Sequence, residues 1–270
     1  MAGELRRLFD QVATMPFDPR AKLRPLPPGE RIEGTAFFPG GTGLWGAPQN
    51  RRFPVGGVMV LGNTFDSLEG FRRMLRAGAE IRVDGPTSWV ARTGQTWDRL
   101  ARLLVDAGID PRRCWCTNAY PGLIEQRKGN LGSAGVRRGS ELRAWCDAFF
   151  LRSVQLLQPS VILALGGEPI RFLGPLIGVD SWTQGVIGRI DEAGDPVRTA
   201  SLAGVDLTAV ALLHPCLRIA NLGCRRLPLR PGRDPEVEVL RRVCRATPSV
   251  LLSPADRAAK GVRAGAGSPG

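Results

Sequence analysis

Apolar positions along the chain follow two alternating patterns. Residues 58–61 (VMVL), 113–118 (RCWCTN), 161–165 (VILAL) and 209–213 (AVALL) form short, mostly apolar runs, as strands buried on both faces of a parallel sheet do. Between them the spacing becomes that of one helix face. Residues 93–107 place Trp97, Leu100, Leu103 and Leu104 on one side, with Thr93 to cap the helix and Gly108 to stop it. Further helices are expected at 1–15, 67–77, 140–157, 169–176 and 235–244, the third of these ended by Gln158–Pro159. Residues 185–207 read as a β-hairpin region, and 16–57, rich in Pro and Gly, as loops with one or two short strands. Four strands alternating with helices predict an α/β fold with a mostly parallel sheet.

This pattern sets the organisation. Residues 56–246 form the expected domain, 1–55 a helix and loops packed on its core, and 247–270, small, polar and Gly-rich, a disordered tail. With 43% hydrophobic and 23% charged residues, the 270-residue chain has the balance of a folded protein. No window of eighteen apolar residues occurs, and MAGELRRLFDQ has neither an apolar core nor a cleavage signal, so a cytoplasmic protein without membrane contact is expected. A monomer is the default.

In a parallel sheet the ligand lies beyond the carboxyl ends of the strands. The residues to read are therefore Gly62-Asn63-Thr64-Phe65-Asp66, Asn118-Ala119-Tyr120-Pro121, Gly166-Gly167-Glu168 and His214-Pro215-Cys216-Leu217-Arg218. A net charge of +12 points either to a polyanionic partner or to a solvated basic surface, and does not separate nucleic acid from an anionic cofactor. The six cysteines include no C-x-x-C pair and read as free thiols.

In their order these strand ends resemble the uracil-DNA glycosylase superfamily, above all its bacterial and archaeal iron–sulfur branch. That branch has a strand followed by Gly-Glu-Ala-Pro-Gly, where this chain has VMVL and Gly62-Asn63-Thr64-Phe65-Asp66. Its Pro-Phe-Val-Gly-Arg-Ala-Gly-Gln corresponds to Ser88-Trp89-Val90-Ala91-Arg92-Thr93-Gly94-Gln95, and its Thr-Asn-Val-Val-Lys-Cys to Thr117-Asn118-Ala119-Tyr120-Pro121-Gly122. A helix with a cysteine, here Cys146, then precedes a strand ending in Leu-Gly, and His-Pro-Ser-Tyr becomes His214-Pro215-Cys216-Leu217, with the chain's one histidine at the motif position. The similarity covers residues 56–245.

The resemblance implies a three-layer α/β/α fold around a four-stranded sheet and a DNA glycosylase that flips out and excises uracil or another deaminated base. It implies His214 as donor to the departing base, Asn118 as reader of the base edge, Trp89 as the stacking aromatic, and Gly62, Thr64 and Asp66 as substrate contacts. Leu217 and Arg218 would form a loop that enters the duplex, with Arg225 and Arg226 on phosphates. The family's usual carboxylate is replaced by Asn63, which can position a water but is a poor base. Asp66 either substitutes for it or caps the next helix. Of the cluster cysteines only Cys146 remains, so no iron–sulfur cofactor and no metal is expected. Two alternatives stay open: a member of the same fold that binds DNA without excision, and an unrelated α/β enzyme binding an anion at these loops.

Overall fold

The computed structural model describes residues 2–25, 56–65, 67–70, 72, 95–111, 114–125, 133–227 and 234–247. The elements run α1 (Ala2–Asp10), β1 (Leu23–Arg24), β2 (Val58–Gly62), α2 (Gln95–Ala107), β3 (Cys114–Asn118), β4 (Leu123–Ile124), α3 (Glu141–Leu157), β5 (Val161–Leu165), α4 (Gly167–Leu176), α5 (Ile187–Glu192), β6 (Val197–Leu202), β7 (Val205–Leu212), α6 (Arg218–Asn221) and α7 (Pro235–Ala246). Of the helix expected over 67–77, positions 68–70 and 72 are helical and the rest lies outside the described residues, as does the expected tail.

The central sheet has the order β3-β2-β5-β7-β6. The first four strands are parallel, with Val58 opposite Cys114 and Val161, and Val161 opposite Thr208. The sheet therefore has five strands where four were expected. The additional one, β6, pairs antiparallel with β7 through a turn at Ala203–Gly204. Its sequence, VRTASL, has only its last residue buried, so no apolar run marks it. The hairpin foreseen at 185–207 thus exists, but its first part is the helix α5.

Side chains of a strand alternate between faces, and both faces here are covered. Met59, Leu61, Trp115, Ile162, Ala164 and Ala211 pack with Phe150 and Val154 of α3 and Ile170 and Leu173 of α4. Val58, Val60, Cys114, Cys116, Leu163 and Val210 pack with Leu100 and Leu104 of α2 and Leu240 and Val243 of α7. This is a three-layer arrangement with every residue of β2, β3 and β5 buried. Leu5, Met15 and Leu23 join the first cluster, so the N-terminal segment is packed on the core.

Two helices begin at side-chain caps. Ser140 caps α3 by accepting from Arg143 N–H at 3.1 Å. Asp234 caps α7 by accepting from Glu236 N–H at 3.0 Å and Val237 N–H at 3.3 Å, with Pro235 at the first helical position. Among the described residues no helix is long and apolar enough to cross a membrane.

Candidate functional site

The strand order fixes the sequence of groups along the carboxyl edge of the parallel strands: Asn118 at the end of β3, Gly62 at the end of β2 with Asn63 and Thr64 after it, Gly166 after β5 and His214 after β7. Three strand spacings of about 4.8 Å put the backbones of β3 and β7 roughly 14 Å apart. Asn118 and His214 thus flank the edge, with the β2 and β5 loops between them.

The β2 and β3 loops are joined. Ala119 N–H donates to Gly62 O at 2.9 Å and Tyr120 N–H to Asn63 O at 2.9 Å, extending the parallel ladder past the strand ends. Phe65 N–H donates to Gly122 O at 3.0 Å, and the buried Phe65 ring packs with Leu123 and Phe149. Asn118 is 2% exposed. The Thr64 hydroxyl is buried and has no hydrogen-bond partner among the described residues. A buried polar group without a partner costs about 1–3 kcal/mol, which a ligand acceptor or donor at this position would offset.

At the other side, Gly166 N–H donates to Leu212 O at 2.7 Å, and Gly166 has φ +87°. A Cβ built on Gly166 would lie 2.9 Å from His214 Cβ. Glycine is therefore required here both for its backbone conformation and for the approach of the His214 loop.

His214 is half-buried, and its Nδ1 lies 2.8 Å from Cys216 Sγ. Burial pushes the imidazole below its ordinary value of 6.5, so it is neutral at neutral pH. With the thiol donating to Nδ1, the ring proton resides on Nε2, the nitrogen left to act as a donor. A proton NMR titration of this one histidine should give a midpoint below 6.5. The unfolded chain then binds the proton first, so the stability contributed by the neutral ring is intact above pH 6.5 and declines as the pH falls from there towards the folded value.

The His214 loop is anchored by α7. Leu213 N–H donates to Glu236 Oε1 at 2.6 Å, and Arg218 Nε donates to Glu236 Oε2 at 2.7 Å. Arg218 also pairs with Asp234. Arg225 lies between Asp191 of α5 and Glu236, at 3.0 and 3.5 Å, and donates to Ala211 O of β7 at 3.0 Å; its Nε is near Asp191 but off the hydrogen-bonding direction. Glu236 is fully buried. Burial pushes its carboxyl up, while the Leu213 N–H, Arg225 and Arg218 pull it back. From α2, Arg99 donates to Cys216 O at 2.7 Å.

These contacts correct two expectations. Arg225, read as a phosphate ligand, has a side chain 1% exposed, and Arg218 one 13% exposed; both are occupied by carboxylates that hold the loop in place. Arg226 is exposed, with its side chain donating to Gly223 O at 3.0 Å, and remains open to solvent. Leu217 is 45% exposed, and Ile219, which the sequence did not single out, is 64% exposed. Trp89 and Asp66 lie outside the described residues.

The residues do not suit an iron–sulfur cluster. Cys146 is in the core and is the one cysteine left at a cluster position, and one thiolate cannot hold a four-iron cluster. At Gly122, where the branch has a cysteine, a Cβ would lie 2.8 Å from Arg24 O and 2.9 Å from the Leu23 and Met15 side chains. Among the described residues no group of three or more His, Cys, Asp or Glu is placed to hold a metal ion.

Sequence reasoning missed Glu236, Asp234 and Arg99 as parts of the site, and it placed Cys216 at the strand end without its contact to His214. Asp234-Pro235-Glu236 is legible as a helix start, but nothing in it tells which strand end that helix meets. No family model matches the chain, and no curated protein matches it.

Proposed function

We propose that the protein is a DNA glycosylase that excises uracil or another deaminated base. The observation that carries this reading is the single row of strand-end groups: Asn118, Asn63 and Thr64 from two joined loops on one side, and a neutral His214 on the other. Breaking the N-glycosidic bond leaves negative charge on the base and positive character on the sugar. A fixed N–H donor at the base oxygen stabilises the first, and His214 Nε2 is suited to that role. The Asn118 amide offers both a donor and an acceptor to a pyrimidine edge. Asn63, directly after the end of β2, is assigned the holding of the water that captures the sugar cation. The exposed Leu217 and Ile219, shortly after His214, supply apolar side chains to fill the gap left by a flipped nucleotide.

A second reading is favoured by the loop chemistry. Residues 62–65 contain no carboxylate, so a protein that binds an extruded base without excising it also fits. Oligonucleotides carrying a single uracil, hypoxanthine or xanthine separate the two. Alkali-revealed strand breaks on one of these substrates, absent on ordinary bases, are the expected result. Salt-sensitive DNA binding with no break on any substrate would leave only the non-cleaving reading, and neither binding nor breaks would reject both.

A further inference from the structure

Two of the six cysteines, Cys216 and Cys224, are exposed, whereas Cys114, Cys116, Cys146 and Cys244 are buried. Burial pushes the thiols of Cys116 and Cys146 up, so these are inert packing residues. Cys216 has different surroundings. Its Sγ lies 2.8 Å from His214 Nδ1, and its own carbonyl accepts from the Arg99 guanidinium at 2.7 Å. The Arg99 contact fixes the backbone of the residue, and a thiol held within reach of an imidazole is the arrangement that makes a cysteine reactive. The other charged groups packed against the loop are Arg218, Asp234 and Glu236, and the two carboxylates are paired with Arg218.

We propose that Cys216 and His214 form a reactive thiol–imidazole pair, and that Cys216 is a modification site for low-molecular-weight disulfides. As Cys216 Sγ attacks one sulfur of the disulfide, its proton passes to the neutral His214 Nδ1 that it already contacts. A new S–S bond forms to Cys216, the original S–S bond breaks, and the departing thiolate is protonated as His214 gives up the proton it took, directly or through water. No net oxidant beyond the disulfide is needed. The adduct removes the thiol from Nδ1 and places a bulky group beside His214, so modification blocks the strand-end site reversibly. The chemistry of the pair does not depend on the glycosylase reading.

Cys224 serves as an internal control, being exposed on the same stretch of chain. The reduced full-length protein is exposed to oxidised glutathione over a range of pH, quenched in acid, and mapped by peptide mass spectrometry. Cys216 is expected to react about tenfold faster than Cys224. Its rate should level off at a lower pH than that of an ordinary thiol. His214→Gln should bring the Cys216 rate down to that of Cys224 while leaving Cys224 unchanged, and Cys216→Ser should abolish the fast phase. Equal rates at the two cysteines in the unmodified protein would overturn the proposal, as would a Cys216 rate indifferent to His214→Gln. Because no nucleic acid is present, failure here leaves the glycosylase reading untouched, and absence of base release leaves this one untouched.

Discussion

Glu236→Ala is expected to lower the unfolding free energy by about 3–5 kcal/mol, the range for breaking a buried ion pair from one side. The carboxylate serves three groups at once: Leu213 N–H, Arg218 and the buried Arg225. Alanine leaves the Leu213 donor without its acceptor and Arg225 with Asp191 as its remaining carboxylate partner. Neither loss is recovered from solvent, because Glu236 and Arg225 are both inside. Glu236→Gln keeps an oxygen for Leu213 N–H and removes the charge, so its loss should fall between those of wild type and alanine. Urea unfolding monitored by tryptophan fluorescence checks both. A loss below about 1 kcal/mol for alanine would mean that the network is solvated and does not carry the loop.

On the proposed glycosylase reading, His214→Ala is expected to leave stability nearly unchanged and to reduce base release by about 10²–10³-fold, the usual cost of deleting one donor to a developing anion. The ring is half-buried and its polar contact is with the exposed Cys216, which can turn to solvent. The two variants therefore separate along different axes: Glu236→Ala acts on the fold and, through the loop, on the site, whereas His214→Ala acts on chemistry. Single-turnover rates, with unfolding midpoints measured on the same preparations, make the distinction. Base release by His214→Ala at the wild-type rate would remove the imidazole from the reaction.

The parallel strands were legible because each is a short apolar run ending in a residue that breaks it: Gly62, Asn118, Gly166 and His214-Pro215. Burial on both faces leaves no polar alternation to confuse the pattern. The edge strand β6 was not legible as a strand in its own right. It faces solvent along most of its length and carries Arg198, Thr199 and Ser201, so its pairing is decided by the neighbouring β7 rather than by its own composition. The short helix α6 falls below the length at which periodicity carries information. Within the site, strand-end positions could be read from order alone, but the state of the arginines could not. Arg218 follows an apolar loop tip and reads as part of a loop that enters the duplex, and Arg225, beside Arg226, reads as a phosphate ligand. Their carboxylate partners come from α5, from α7 and from the cap of α7, and only the folded chain brings those together.

The dependence of the His214 loop on α7 also imposes an order on biosynthesis. Strands β2, β3, β5 and β7 are all made before Glu236 leaves the ribosome, and they can pair as soon as they emerge. The Leu213 amide and the Arg218 and Arg225 guanidiniums then wait without the Glu236 carboxylate until α7 docks. A nascent chain at that stage holds the parallel strands but lacks the carboxylate that anchors the His214 loop, so the setting of that loop follows the making of α7.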